Sequence, residues 1–154
     1  MATSCNRKDA NYLQVFYDCS NIARGPVAFM VRNVGKSSLS STVVVPWESV
    51  ITNFGGHYNP LTYTFVCPYN GVYVFSTSIY TYDDHIAIGV YRNNFNLFRV
   101  DANTDRSDLD SSSGSVVAEC FAGDVVWAEV YKGGPFHMED ENVQLFSGFL
   151  LNKL

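Results

Sequence analysis

Along this chain apolar residues recur at every second position, in short runs separated by turn residues, which predicts half-buried strands. Val27-Ala28-Phe29-Met30-Val31-Arg32 reads as a strand, followed by the turn Asn33-Val34-Gly35-Lys36. A serine-rich loop leads into Thr42-Val43-Val44-Val45, which Pro46 ends. Gly55-Gly56 and Asn59-Pro60 punctuate the next stretch, before a strand from Thr62 to Cys67 and the turn Pro68-Tyr69-Asn70-Gly71. The run from Val72 to Tyr80 alternates most clearly. Tyr73, Phe75, Thr77 and Ile79 share one face, and Val74, Ser76 and Ser78 share the other. His85 to Arg92 repeats the pattern with Ile86, Ile88 and Val90. Further strands are predicted at Asn96–Val100, Val116–Phe121, Val125–Tyr131 and Leu145–Leu151, with a tight turn at Gly123-Asp124. Asp101 to Gly114 and Lys132 to Asn142 read as acidic loops. About ten short strands with no helical segment predict an all-β fold of two antiparallel sheets.

Composition agrees. A chain of 154 residues fits one domain and can bury a substantial core. Its 11 Phe and 10 Tyr suit pleated, half-buried surfaces better than amphipathic helices. The net charge of -5 and scattered basic residues argue against nucleic acid as a partner. No apolar run approaches a membrane span, so no membrane insertion is expected. Met1 to Gln14 is polar and lacks the apolar stretch of a signal peptide.

Candidate chemistry is sparse. His57, His85 and His137 sit in no metalloprotease motif, and neither a Gly-x-Ser-x-Gly elbow nor a Cys-His signature occurs, so no enzyme is expected. The 4 cysteines show no CxxC spacing. Alternation points Phe65 and Cys67 inward, and Ala118 and Cys120 likewise, which leaves both buried free thiols and a Cys67–Cys120 disulfide open. Cys5 and Cys19 enclose a short loop and could pair with each other or link chains. The strongest chemical signal is the first acidic loop. Asp101, Asp105, Asp108 and Asp110 are interleaved with Asn103, Ser107 and Ser111, a set of hard oxygen donors suited to Ca²⁺. The glycine and terminal glutamate of an EF-hand are missing, and a merely solvated loop is the competing reading.

Three phrases in register carry a family resemblance. The first is Asn53, Tyr58, Asn59, Phe65, Gly71, Tyr73 and Phe75; the second is Gly123-Asp124-Val125-Val126-Trp127; the third is Phe146-Ser147-Gly148-Phe149-Leu150-Leu151. Together they resemble the complement C1q globular-head family over roughly Pro26 to Leu151, with residues 26–154 as the domain and 1–25 as a non-collagenous N-terminal segment. Trp47 and Thr77 depart from the family's usual residues, and no Gly-x-y collagen stem precedes the domain in this sequence. The chain thus looks similar to the stand-alone C1q-domain proteins of invertebrates.

The resemblance implies a ten-stranded antiparallel jelly roll, similar to tumour necrosis factor, assembled as a homotrimer in an extracellular, secreted setting. The absent signal peptide is then read as removed from a mature form. It implies core roles for Tyr73, Phe75 and Phe149, and an approach of Val74, Ser76 and Phe146 to the three-fold axis. It supports a calcium site at Asp101 and Asp110, with a main-chain carbonyl near Asp108 completing the shell. Tyr58, Tyr82, Asp83, Asp84 and His137 are expected in loops, where side chains stack on or hydrogen-bond to ligands. The functional expectation is a lectin-like recognition protein of innate immunity that binds carbohydrate or a microbial surface. A cytokine-like ligand for a cell-surface receptor and a calcium-associated matrix or biomineral protein are the alternatives.

Overall fold

The computed structural model describes residues 25–33, 38–82, 85–103, 109–133, 136–137 and 144–154. The strands, in chain order, are β1 (Ala28–Arg32), β2 (Ser38–Leu39), β3 (Ser49–Phe54), β4 (Tyr58–Asn59), β5 (Thr64–Val66) and β6 (Gly71–Tyr82). They continue with β7 (His85–Arg92), β8 (Phe95–Asn103), β9 (Leu109–Cys120), β10 (Val125–Gly133), β11 (Phe136–His137) and β12 (Leu145–Lys153). Ten of them form two five-stranded sheets, ordered β3-β1-β12-β6-β9 and β4-β5-β10-β7-β8; β2 and β11 pair separately. The pairings are antiparallel. The expected ten-stranded, two-sheet jelly roll is therefore the observed one.

The core lies between the sheets. Phe29, Trp47, Tyr58, Phe65, Tyr73, Phe75 and Phe146 fill it with rings. Phe29 stacks on Tyr58 at 5.2 Å and on Phe65 at 4.8 Å, and meets Phe146 edge-on at 5.0 Å. Such offset and edge-to-face pairs add about 0.5–1.5 kcal/mol each beyond the burial of area. Gly148 faces this cluster. A Cβ there would come within 2.5 Å of the Phe75 ring and 2.7 Å of the Phe29 ring, so the ring packing requires glycine. The alternation of β6 is realised as expected, with Tyr73, Phe75, Thr77 and Ile79 buried. The Thr77 hydroxyl, at a position that departs from the family's usual residue, donates to the Leu145 carbonyl at 2.9 Å and so satisfies its buried polar group.

Three expectations need correction. Phe146 and Phe149 exchange roles: Phe146 is 0% exposed and Phe149 45%. Being three residues apart in an unbroken strand, they must face opposite sides, and inward-facing Gly148 shares its side with Phe146. The stretch Asp101–Gly114 is not one loop, because β8 runs to Asn103 and β9 begins at Leu109. Thr42–Val45 forms no regular strand but runs antiparallel beside β10 through the Val44–Glu129 bridge and three backbone hydrogen bonds, from Thr42 N–H to Val130, Val130 N–H to Val43 and Val45 N–H to Ala128; Ser49–Phe54 forms a full strand beside β1.

Candidate functional surfaces

The outward face of the first sheet is built by register. Phe54, Ala28, Phe149, Val74 and Val117 stand directly opposite one another across all five strands. Directly opposed residues project to the same side, so this is one continuous apolar row. Phe54 is 54% and Val117 64% exposed, which is far more than a packed face would leave. Beside it runs a parallel row, Met30, Ser147, Ser76 and Ser115, and beyond that Leu145, Ser78 and Ser113. Small hydroxyl side chains there leave the sheet smooth enough for close approach. Val74 and Ser76 lie on this face, as expected; Phe146 does not, and Phe149 takes its place.

The outward face of the second sheet has a different chemistry. The Tyr91 and Trp127 rings are nearly parallel, with centroids 5.9 Å apart, and are paired across β7 and β10. The Trp127 indole N–H donates to the Glu129 carboxylate at 3.2 Å. Arg99 lies 4.7 Å over the Tyr131 ring, a cation–π contact on the same sheet. Between these groups sits Gly89, opposite Glu129 and Arg99. A Cβ at that position would meet the Asn96 amide at 2.5 Å and the Tyr91 ring at 2.7 Å, so the missing side chain lets Asn96 and Tyr91 lean over the strand.

At one edge the two sheets meet through the acidic residues. Asp101 in β8 contacts His85 at 2.6 Å and lies 3.8 Å from Arg99. Asp110 in β9 accepts the Asn103 backbone N–H at 2.8 Å and that of Ser111 at 2.8 Å. The Asp101 backbone N–H donates to the Ser112 hydroxyl at 3.4 Å. Asp110 therefore bridges the edges of β8 and β9. Among the described residues no three His, Cys, Asp or Glu side chains converge on a common point, and Asp101 faces two basic side chains. Asp105 and Asp108, the other carboxylates of the expected calcium set, lie outside the described residues.

The remaining ligand candidates divide in the same way. Tyr58 is corrected: at 2% exposure it is a core residue. Its hydroxyl donates to the Trp47 carbonyl at 3.0 Å, and burial, reinforced by nearby Tyr63, raises its pKa well above the ordinary value. Asn53 clamps it from the side. The Asn53 amide donates to the Tyr58 carbonyl at 2.9 Å, and its Oδ1 accepts the Tyr58 N–H at 3.1 Å. The Asn53–Tyr58 phrase of the sequence is thus a folding device. Tyr82 ends β6, and His137 is not in a loop but lies in β11, paired with Ser38. Asp83 and Asp84 lie outside the described residues. The aromatic groups of the second sheet were missed because Tyr91, Trp127 and Tyr131 are spread along the chain; strand pairing brings Tyr91 to Trp127.

The match to the C1q domain family spans residues 28–151. The chain belongs to this family. It is 33% identical over 133 residues to complement C1q tumor necrosis factor-related protein 2 of Mus musculus, covering 84% of this chain and 44% of that protein. It is 38% identical over 109 residues to complement C1q tumor necrosis factor-related protein 7 of the same organism, covering 68% of this chain and 37% of that protein. The chain therefore spans less than half the length of these curated relatives. Among solved structures, the globular domain of zebrafish complement 1qA protein superimposes with a TM-score of 0.70 at 19% identity, covering 83% of this chain and 99% of that one. Eiger TNF from S. frugiperda gives a TM-score of 0.70 at 13% identity, covering 84% and 94%. These two likenesses show a fold shared by C1q and tumour necrosis factor domains.

Proposed function

We propose that this C1q domain is an extracellular recognition module that assembles as a homotrimer and binds carbohydrate in a lectin-like way. The observation that carries the reading is the exposed apolar row Phe54–Ala28–Phe149–Val74–Val117. A soluble domain rarely leaves such a row in water, and burying it stabilises association by about 25 cal/mol per Å². Family membership supports three copies as the number. With the first sheet turned inward, the second sheet faces solvent in each copy. Its Tyr91, Trp127 and Tyr131 rings offer apolar faces for sugar C–H groups, and Asn96, Glu129 and Arg99 offer hydrogen-bond partners for hydroxyls. The work of the domain is binding, with no bond made or broken.

Two measurements test this. Light scattering at micromolar concentration is expected to give three times the chain mass; a monomer mass contradicts the assembly. A glycan array is expected to show selective binding that Trp127→Ala weakens at least tenfold while the trimer stays intact. Failure of every glycan, together with saturable binding to intact cells, would instead support the cytokine-like reading.

A further inference from the structure

Cys67 and Cys120 lie far apart in the chain and are assigned no role by the recognition surfaces. Cys67 directly follows β5 of the second sheet, and Cys120 ends β9 of the first. Both side chains are fully buried in the common core. Backbone bonds hold the two segments together. The Cys67 N–H donates to the Asp124 carbonyl at 2.8 Å, the Gly123 N–H donates to the Cys67 carbonyl at 2.8 Å, and the Ala122 N–H donates to the Asn70 side chain at 2.9 Å. Both thiols are free in this structure, and they lie close enough for each to bias the other's ionisation. Cys120, and then burial, hold the Cys67 proton on. Cys67, and then the Arg92 guanidinium, favour the thiolate at Cys120.

We propose that Cys67 and Cys120 are the site of a disulfide that fastens the two sheets to each other at this end of the sandwich. The oxidant is a low-molecular-weight disulfide, acting while the chain folds or opens locally. The Cys120 thiolate attacks one of its sulfurs and expels a small thiolate, leaving a mixed disulfide. The Cys67 thiol then attacks the Cys120 sulfur, its proton passes to a small thiolate, and a second small thiolate leaves. One small disulfide becomes two small thiols, and the protein loses two hydrogens. The step requires an oxidising compartment but neither a ligand nor the trimer.

The full chain, equilibrated with oxidised and reduced glutathione, is unfolded in an alkylating reagent and its peptides are mapped. The expected result is a Cys67–Cys120 linked peptide in the oxidised arm and two alkylated cysteines in the reduced arm. The thermal midpoint is expected to fall by roughly 10 °C on reduction, since the bond closes a long loop. The same fall is expected in the Cys5→Ser, Cys19→Ser variant and is absent when Cys67 and Cys120 are serine. Should that last variant fail to fold, the peptide map of the wild type decides alone. Alkylation of both thiols in the oxidised arm, or linkage of either to Cys5 or Cys19, overturns the proposal.

Discussion

The two outward faces of this sandwich are made from the same kind of strand yet offer opposite surfaces. The first sheet presents one apolar row flanked by serines, with its largest rings, such as Phe149, lying in register with neighbours of like character. The second presents rings that lean toward charged partners, Trp127 to Glu129 and Tyr131 to Arg99. A smooth apolar face is satisfied by another copy of itself, because dispersion and water release need only shape. A face of rings with directional partners suits a ligand of mixed polarity. Under the proposed function, assembly belongs to the first sheet and recognition to the second.

The comparison breaks most sharply at the Phe pair of β12. Phe146→Ala is expected to destabilise the fold by about 3–5 kcal/mol, the usual loss for a buried Phe, read as a lower denaturation midpoint. A change within error would show that Phe146 is not core. Phe149→Asp is expected to act on the other level: three carboxylates would crowd one interface, so the mass falls to that of a monomer while circular dichroism stays native-like. Loss of the fold instead would move Phe149 back into the core.

A pH titration sharpens the interior. Burial pushes the Tyr73 hydroxyl up to about 12, although the Tyr69 backbone N–H, which donates to its oxygen at 3.3 Å, works against the shift. Because the folded pKa is raised above the unfolded value of about 10, the stability it represents is complete below pH 10 and lost as pH climbs toward 12. Alkaline unfolding followed by tyrosinate absorbance should show that window, and Tyr73→Phe should shift the onset upward. An unchanged onset assigns the loss to other groups, with Tyr58 the first to check.

The smallest effect expected is at the sheet edge. Asp110→Ala removes the acceptor for two backbone N–H groups and should destabilise by about 1 kcal/mol, equally with calcium and with chelator. A calcium-dependent midpoint in the wild type that this substitution abolishes would support the calcium site instead.

Period-two patterning was enough to place most strands, the two-sheet class and the buried face of β6, because burial of alternate residues is a local constraint on sequence. Family phrases in register added the topology. The parity of β12 was not decided by two Phe residues of equal hydrophobicity; Gly148, which only the Phe29 and Phe75 rings explain, settles which one faces in. Tyr58 looked like a loop aromatic because its chain position is between turns, and only tertiary packing supplies the Trp47 carbonyl that its hydroxyl meets. The carboxylates Asp101 and Asp110 were legible as oxygen donors, but their partners, His85 and the Asn103 amide, come from strand edges that the sequence keeps apart. Residue types and their spacing thus determined the fold and the inventory of chemistry. The register between distant strands, a property of hydrogen bonding and core volume rather than of any local window, decided which groups meet and which face water.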